Sequence, residues 1–434
     1  AVRSDMQRRD FLERMVKSSA ALAVASTWLA RPERAVAAVA DRAKATPEEL
    51  AADEGFWSEV TRDFSPAPDF LNLEYGYFHA AALPTLEVEL RAAREINRRN
   101  SFYKRVQMRP DQEAARTALA ALAGVTPDEI AVTRNTTESL NIVIQGLDLA
   151  PGDEIVYGDQ DYGSMEEALQ QKAKRQGVVL RKVAIPLDPK SDEEIVEAYF
   201  SAVTPRTRLL HVTHMINITG QVLPVRKISD AAHARGIEVV VDAAHSFAHI
   251  DFKISDLGCD YLGTSLHKWL CSPLGMGLLY VRRDKITKVW PLFGDTRRAA
   301  DDIRKLEKLG TRPESAHIGV LEAIRFHEAI GSARKQARLR YLHSSWASAV
   351  RTMPRVYVLT PADPARHGAV GNVGIEGVAP RALADYWMKE HSIFTVGIDH
   401  PVVRGVRVTP GVPTPRAHVD RFVEAVAAAT KHFS

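Results

Sequence analysis

A carboxylate and a lysine each follow an apolar, strand-like run near the middle of the chain. Asp242 ends the run Val239–Val241, and Lys268 comes shortly after the run Tyr261–Thr264. A buried carboxylate is costly unless it is paired with a charge, so Asp242 needs a cationic partner. Pyridoxal phosphate (PLP) supplies one, because its pyridine nitrogen stays protonated beside a carboxylate while a lysine forms a Schiff base with its aldehyde. A helix N-cap and a surface lysine are the alternative interpretations of the two residues.

The residues around this pair form two motifs, Asp242-Ala243-Ala244-His245-Ser246 and Ser265-Leu266-His267-Lys268. They resemble the class V aminotransferase family, whose pattern is Asp-x-Ala-(His/Gln)-Ser followed by Ser-x-His-Lys. That family includes cysteine desulfurases, kynureninase and isopenicillin N epimerase. The resemblance implies that Lys268 forms the Schiff base, and that His245 stands near the phenolic oxygen of the cofactor or near the substrate. A structural histidine is the alternative for His245.

A threonine-rich segment, residues 133–137, reads Thr-Arg-Asn-Thr-Thr and precedes an apolar helical pattern. Backbone amides at a helix N-terminus, helped by hydroxyl groups, can hold a phosphate, although an ordinary helix cap has the same pattern. By the resemblance, the side chains expected to bind the cofactor phosphate are Thr136, Thr137, Ser265, His267 and Thr311. The last of these, Thr311, is expected to reach the phosphate of the partner subunit in a homodimer.

The resemblance also assigns residues to the cofactor ring and to the substrate. Tyr162 is expected to cover the pyridine ring, or else to be a partly buried loop tyrosine, and Asn217 is expected near the phenolic oxygen. Arg407 matches the arginine that binds the substrate α-carboxylate, since a planar guanidinium suits bidentate binding. Arg404 lies close by in the sequence and is the main alternative. On the substrate side, Tyr75 is expected to help close the pocket.

The positions of the cysteines limit the reactions that the chain can be expected to catalyse. Desulfurases of this family use a nucleophilic cysteine on a C-terminal loop, but the comparable segment, Phe394–His400, contains none. The two cysteines of the chain, Cys259 and Cys271, are interpreted as buried structural thiols. Persulfide-forming desulfuration is therefore not expected. By the resemblance, Tyr162 and the pattern Asn217-x-Thr219-Gly220 favour the isopenicillin N epimerase-like branch.

The predicted function is that of a PLP-dependent enzyme of aminotransferase or epimerase type. Its expected substrate is the amine of an amino acid or of a peptide-derived metabolite, with siderophore tailoring as one such role. A C–S or other β-lyase without a catalytic cysteine is the alternative. A non-catalytic binding protein on the same fold is a third interpretation, disfavoured because both Lys268 and Asp242 are present.

The first forty residues resemble a twin-arginine signal peptide. Arg8 and Arg9 precede a short apolar run over residues 18–30, and Ala35-Val36-Ala37 has the small-x-small form of a cleavage site. The apolar run is too short for a stable membrane span, and an amphipathic helix is the alternative. Residues 1–40 therefore predict export of the folded protein by the twin-arginine translocase to the periplasm or the cell exterior.

Composition and patterning predict a soluble α/β protein. The 434 residues are 45% hydrophobic and 26% charged, with a net charge of +3, which is too balanced to suggest a nucleic-acid partner. Strand-like runs alternate with helical patterns, which favours a mainly parallel sheet covered on both faces. The expected strands of this sheet are Glu129–Thr133, Glu154–Tyr157, Val179–Val183, Arg208–His214, Glu238–Asp242, Tyr261–Thr264 and Gly277–Val281.

The expected architecture is that of a fold-type I PLP-dependent transferase. Residues 41–68 are predicted to form a linker and an N-terminal helix over Glu48–Phe64. Residues 69–335 are predicted to form the large PLP-binding domain, and residues 336–434 a smaller α+β domain with helices over Arg381–Glu390 and Pro415–Lys431.

Overall fold

The computed structural model describes residues 45–434, so the predicted signal peptide lies outside the described residues. The helices of the described part are α1 Pro47–Ala51, α2 Glu54–Thr61, α3 Leu83–Arg99, α4 Ser101–Val106, α5 Met108–Ala123, α6 Thr136–Gly146, α7 Gly163–Gln176, α8 Asp192–Phe200, α9 Val225–His233, α10 Ile254–Leu257, α11 Ser315–Ile330, α12 Ser332–Val350, α13 Pro380–His391 and α14 Arg416–His432. Short 3₁₀ turns cover Pro127–Glu129, Arg283–Lys288, Ile303–Glu307 and Pro364–Arg366.

The strands of residues 45–434 form three sheets. They are β1 Leu71–Asn72, β2 Ile130–Thr133, β3 Glu154–Gly158, β4 Val179–Val183, β5 Thr207–Thr213, β6 Glu238–Asp242, β7 Tyr261–Ser265, β8 Gly277–Val281, β9 Val356–Val358, β10 Gly371–Ile375, β11 Ile393–Phe394, β12 Val396–Asp399 and β13 Arg404–Val408. Seven of them form one sheet in the order β2-β8-β7-β6-β5-β3-β4, in which only β8 runs against its neighbours. The predicted mainly parallel sheet is confirmed.

Both faces of the large sheet are buried. Along β6, Val239 and Val241 belong to one apolar cluster, and Val240 belongs to the cluster on the opposite face. This division follows from the alternation of side chains along a strand. Helices cover both faces, as in other parallel sheets. The strand ends are therefore where polar side chains can gather.

The smaller sheet brings the C-terminal part of the chain to the same region. Its order is β12-β13-β10-β9, and all of its pairs are antiparallel. Strand β1 pairs in parallel with β11, and Glu74 bridges Thr409, which directly follows β13. The segment after β1 is thereby held beside β13.

The predicted single helix over Glu48–Phe64 is wrong in one respect, because two short helices occupy this span. The side chain of Asp53 accepts a hydrogen bond from the Phe56 amide at 2.9 Å and so starts α2 after a break. Aspartate favours this capping role over the helix interior.

Helix α12 runs through the predicted domain boundary at 335/336, and the predicted domain limits stay predictions.

Candidate active site

One cavity of about 170 Å³ lies at the carboxyl ends of β5, β6 and β7. A water molecule needs only about 10–15 Å³ of such space, so the cavity has room for a much larger ligand. The predicted site residues that line it are Thr136, Thr137, Tyr162, Asn217, Asp242, His245, Ser265, His267, Lys268 and Arg407. The remaining lining residues are Gly76, Tyr77, Asn135, Thr213, Met215 and Ala244.

Lys268 has an amine whose pKa is lowered towards neutrality, and its unprotonated form is the one that reacts with aldehydes. Burial lowers the pKa of its amine to about 8, although the nearby Asp242 carboxylate acts in the opposite direction. The Nζ atom lies 3.0 Å from Nε2 of His245. A lysine whose pKa lies near neutrality can act as a nucleophile and as a general base.

The hydrogen bonds around His245 indicate which of its nitrogens carries the proton. The indole N–H of Trp269 approaches Nδ1 of His245 at 3.4 Å, and an indole nitrogen can only donate. Nδ1 is therefore the acceptor, and the proton of the neutral ring lies on Nε2. Burial lowers the pKa of His245 well below its usual value, with the positive charge of Lys268 as the next cause. A neutral His245 can thus donate from Nε2 to the amine of Lys268 whenever that amine is unprotonated.

Asp242 is the last residue of β6, and its side chain is 2% exposed. Burial raises the pKa of its carboxyl group, while His211 and a 2.9 Å hydrogen bond from the Ala244 amide act to lower it. A buried carboxylate aimed at a cavity suits a cationic ligand atom such as a pyridinium nitrogen.

Asp161 and His211, which the sequence interpretation missed, lie behind Asp242. Strand pairing places Thr213 beside Asp242, and His211 lies two residues earlier on the same face of β5. His211 Nδ1 is 2.7 Å from one oxygen of Asp161, and the Thr213 hydroxyl donates to the other at 2.7 Å. Burial acts to lower the pKa of His211, but the Asp161 carboxylate outweighs it and the pKa is raised. The raised pKa favours the protonated form of His211, and His211 acts to lower the pKa of Asp242.

The start of α6 lines the same cavity and can bind an anion there. Asn135 caps the helix by accepting from the Glu138 amide at 2.9 Å. The Thr136 amide donates to the Ser265 hydroxyl at 2.9 Å, and the two hydroxyl oxygens are 2.7 Å apart. A side chain on Gly277 would come within 2.5 Å of the Asn135 nitrogen, so a glycine is needed for this loop to pack on β8. Helix N-termini of this kind bind phosphate.

These features together fit PLP. The cavity offers an anion site at a helix N-terminus, a buried carboxylate and an amine of lowered pKa, which match the phosphate, the pyridine nitrogen and the aldehyde of the cofactor. Tyr162, which is 42% exposed at the start of α7, also lines the cavity. Among residues 45–434 there is no group of three or more His, Cys, Asp or Glu side chains that could hold a metal ion.

The structure separates the two arginines that compete for the substrate carboxylate. Arg407 is 7% exposed and lines the cavity. Arg404 lies outside the cavity lining, and its exposed guanidinium pairs with Asp399 at 2.9 Å. Arg407 is therefore the arginine that can contact a ligand in the cavity. Its present partner is Glu74, which the sequence interpretation also missed.

Two predicted site residues lie outside the cavity lining. Tyr75 is buried, and its ring centroid lies 4.6 Å from that of His79. The residues of this segment that line the cavity are Gly76 and Tyr77. Neighbouring side chains along an extended segment point to opposite sides, which separates Tyr75 from Glu74. Thr311 is exposed in the loop before α11. Its predicted contact is with a partner subunit, and it stays a prediction.

Both cysteines are buried and free, and neither lines the cavity. Burial raises the pKa of the Cys259 thiol and that of the Cys271 thiol. A thiol with a raised pKa is a poor nucleophile near neutral pH. The interpretation of these cysteines as structural is consistent with their burial.

The fold and the cavity define a fold-type I PLP enzyme. The model of the family described as aminotransferase class-V matches residues 92–397. The chain belongs to that family, and it is a PLP-dependent enzyme.

The relatives of the chain carry the names of more than one activity. The chain is 30% identical over 398 residues to an isopenicillin N epimerase from Amycolatopsis lactamdurans, covering 86% of this chain and 99% of the relative. It is 27% identical to a cysteine desulfurase from Haloferax volcanii, covering 71% and 76% of the two chains. A solved cysteine desulfurase from Thermococcus onnurineus superposes with a TM-score of 0.75 at 23% identity, covering 86% of this chain and 98% of that one. A solved cystine C–S lyase superposes with a TM-score of 0.75 at 22% identity, covering 83% of this chain and 98% of that one.

Proposed function

We propose that the protein is an exported PLP-dependent enzyme that transaminates or epimerises the amine of an amino acid or of a peptide-derived metabolite. The observation that carries this proposal is the placement of Lys268, His245 and Asp242 around one cavity that also contains an anion site. PLP supplies the electron sink for cleavage of a bond to the α-carbon. The similarity to isopenicillin N epimerases favours this branch of the family.

The residues of the chain have separate roles in this proposal. Lys268 removes or returns the α-proton, because its amine has a lowered pKa and points into the cavity. His245 orients that amine through its 3.0 Å contact. Asp242 would stabilise a positive ring nitrogen of the bound cofactor, and the start of α6 with Ser265 would hold its phosphate.

The alternative function is a C–S or other β-lyase. It requires the same lysine and carboxylate and no catalytic thiol, and both cysteines lie outside the cavity lining. Products decide between the two functions. Candidate amines are added to the PLP-loaded protein, the absorption of the cofactor is followed, and products are identified by mass. A keto product or an inverted α-carbon supports the proposal, whereas loss of a β-substituent supports the lyase.

We also propose a homodimer with its active sites at the subunit interface. Large apolar side chains are exposed at the cavity: Tyr77, which lines it, is 70% exposed, and Phe78, whose ring contacts that of Tyr77, is 48% exposed. Exposed apolar clusters of this kind mark interaction surfaces. Light scattering on the active enzyme should give twice the mass of one chain. A fully active monomer at the assay concentration would contradict the dimer.

Export of the folded enzyme is proposed from Arg8 and Arg9 and the apolar run that follows them. Among the helices of residues 45–434, none is both long and apolar enough to cross a membrane. Replacing both arginines by lysine keeps the charge but removes the paired guanidinium groups, so the variant should remain in the cytoplasm with its cofactor bound. Cell fractionation with an immunoblot measures this. Unchanged export of the variant would rule out the twin-arginine route.

In this proposal the enzyme acts outside the cytoplasm on a modified amino acid or peptide metabolite, with siderophore tailoring as one role. The predicted twin-arginine signal peptide supports this location. The twin-arginine translocase carries folded proteins, so PLP can be loaded in the cytoplasm before export.

A further inference from the structure

Arg407 already holds a carboxylate that belongs to this chain. Its Nε donates to Oε2 of Glu74 at 3.1 Å, and its Nη2 donates to Oε1 of the same side chain. Glu74 is 6% exposed and Arg407 is 7% exposed, so both charges are withdrawn from water. The Nε/Nη2 side of the guanidinium, one of its two bidentate sides, is therefore already occupied by a carboxylate.

The position of Glu74 is fixed by the fold. Glu74 bridges Thr409, and the Thr409 hydroxyl contacts Oε2 at 3.4 Å and donates to the backbone oxygen of Leu73 at 3.3 Å. Nη1 of Arg407 donates to the backbone oxygen of Asn217 at 3.3 Å. These contacts occupy three of the five N–H groups of Arg407.

The pair also changes the electrostatics of the substrate end of the cavity. Glu74 neutralises Arg407, so a substrate carboxylate placed there meets a like charge as well as the guanidinium. Water screens this repulsion poorly, because both side chains are buried. A neutral carboxamide can accept a hydrogen bond from the remaining N–H groups of Arg407 without that repulsion.

We propose that Glu74 is a specificity-determining residue, and that it directs the site to amines whose neighbouring carboxyl group is masked as an amide. The N-terminal residue of a peptide has this chemistry, whereas a free amino acid does not. This inference rests on the proposed function, because the amine of the substrate must reach Lys268.

Two matched ligands test the proposal on the PLP-loaded wild-type enzyme. L-alaninamide and L-alanine differ only at the carboxyl group, and their dissociation constants are obtained from the change in cofactor absorption. The amide should bind about tenfold more tightly than the amino acid. In Glu74→Gln, which keeps the shape of the side chain but removes its charge, L-alanine should bind about tenfold more tightly than it binds to the wild type. The affinity for L-alaninamide should change little.

Asp399→Asn is the control, because it removes a carboxylate from an exposed arginine pair outside the cavity, that of Arg404. Both dissociation constants should stay at their wild-type values. The proposal is overturned if the wild type binds the two ligands equally or binds neither, and also if Glu74→Gln gains no affinity for L-alanine. If that variant does not fold, the wild-type preference decides. Peptide mapping of the cofactor on Lys268 tests the proposed function separately in the same preparation.

Discussion

Lys268→Ala should abolish turnover and covalent attachment of the cofactor. The variant loses the amine that binds the aldehyde and also the base that moves the α-proton, and a general base alone contributes about 10²–10⁴-fold in rate. We expect turnover to fall by at least about 10³-fold. Borohydride reduction of the wild type, followed by peptide mapping, should place a pyridoxyl group on Lys268. The variant should have none.

Lys172 provides a matched control for this prediction. Burial lowers the pKa of its amine to about 8, as it does for Lys268, but Lys172 contacts the backbone oxygen of Leu147 and lies outside the cavity lining. Lys172→Met should therefore keep the cofactor on Lys268 and lose stability, since it leaves a buried carbonyl group without its donor. A pyridoxyl group on Lys172, or on any lysine other than Lys268, would contradict the assignment.

The large sheet was predictable from sequence because its strands are short, β-branched and separated by helices. The runs Val179–Val183, Glu238–Asp242 and Gly277–Val281 have the same bounds in the structure as in the prediction. Parallel strands that share a direction also bring their carboxyl ends to one edge, so the motifs at Asp242 and Lys268 could be expected to meet. The hydrophobic pattern therefore predicts local features: each strand, the residue at which it ends and the polar residue that follows.

The missed residues are those whose role depends on contacts that are distant in sequence. Glu74 meets Arg407 across 333 residues, and Asp161 meets His211 across 50. A glutamate between Leu73 and Tyr75 gives no sign of a partner so far along the chain, and only Tyr75 of this segment was predicted to help close the pocket. His211 interrupts the apolar run of β5. A histidine within a buried strand was the sequence feature that could have indicated a functional role for this residue. The side of the sheet on which the His211 side chain lies is known only from the pairing of β5 with β6 in the structure.

Asp242→Asn should leave PLP attached and nearly abolish turnover. A neutral amide cannot hold the pyridine nitrogen in its protonated form, so the ring loses its capacity to accept electrons. The phosphate site and Lys268 are unchanged, and attachment of the cofactor should remain measurable. We expect the rate of α-proton removal, followed as solvent deuterium exchange into the substrate, to fall by about 10³-fold.

A second buried aspartate separates this electronic effect from simple damage to the fold. Asp260 has no exposed side-chain surface and pairs with Arg282 at 2.7 Å and with His233 at 2.9 Å, away from the cavity. Asp260→Asn breaks a buried ion pair and should lower the thermal midpoint, while deuterium exchange per folded molecule stays near that of the wild type. Asp242→Asn should show the reverse: a nearly unchanged midpoint and lost exchange. If Asp242→Asn exchanges the α-proton at a near-normal rate, Asp242 does not control the charge of the ring nitrogen. The buried contacts of His211 and Asp161 would then be structural only.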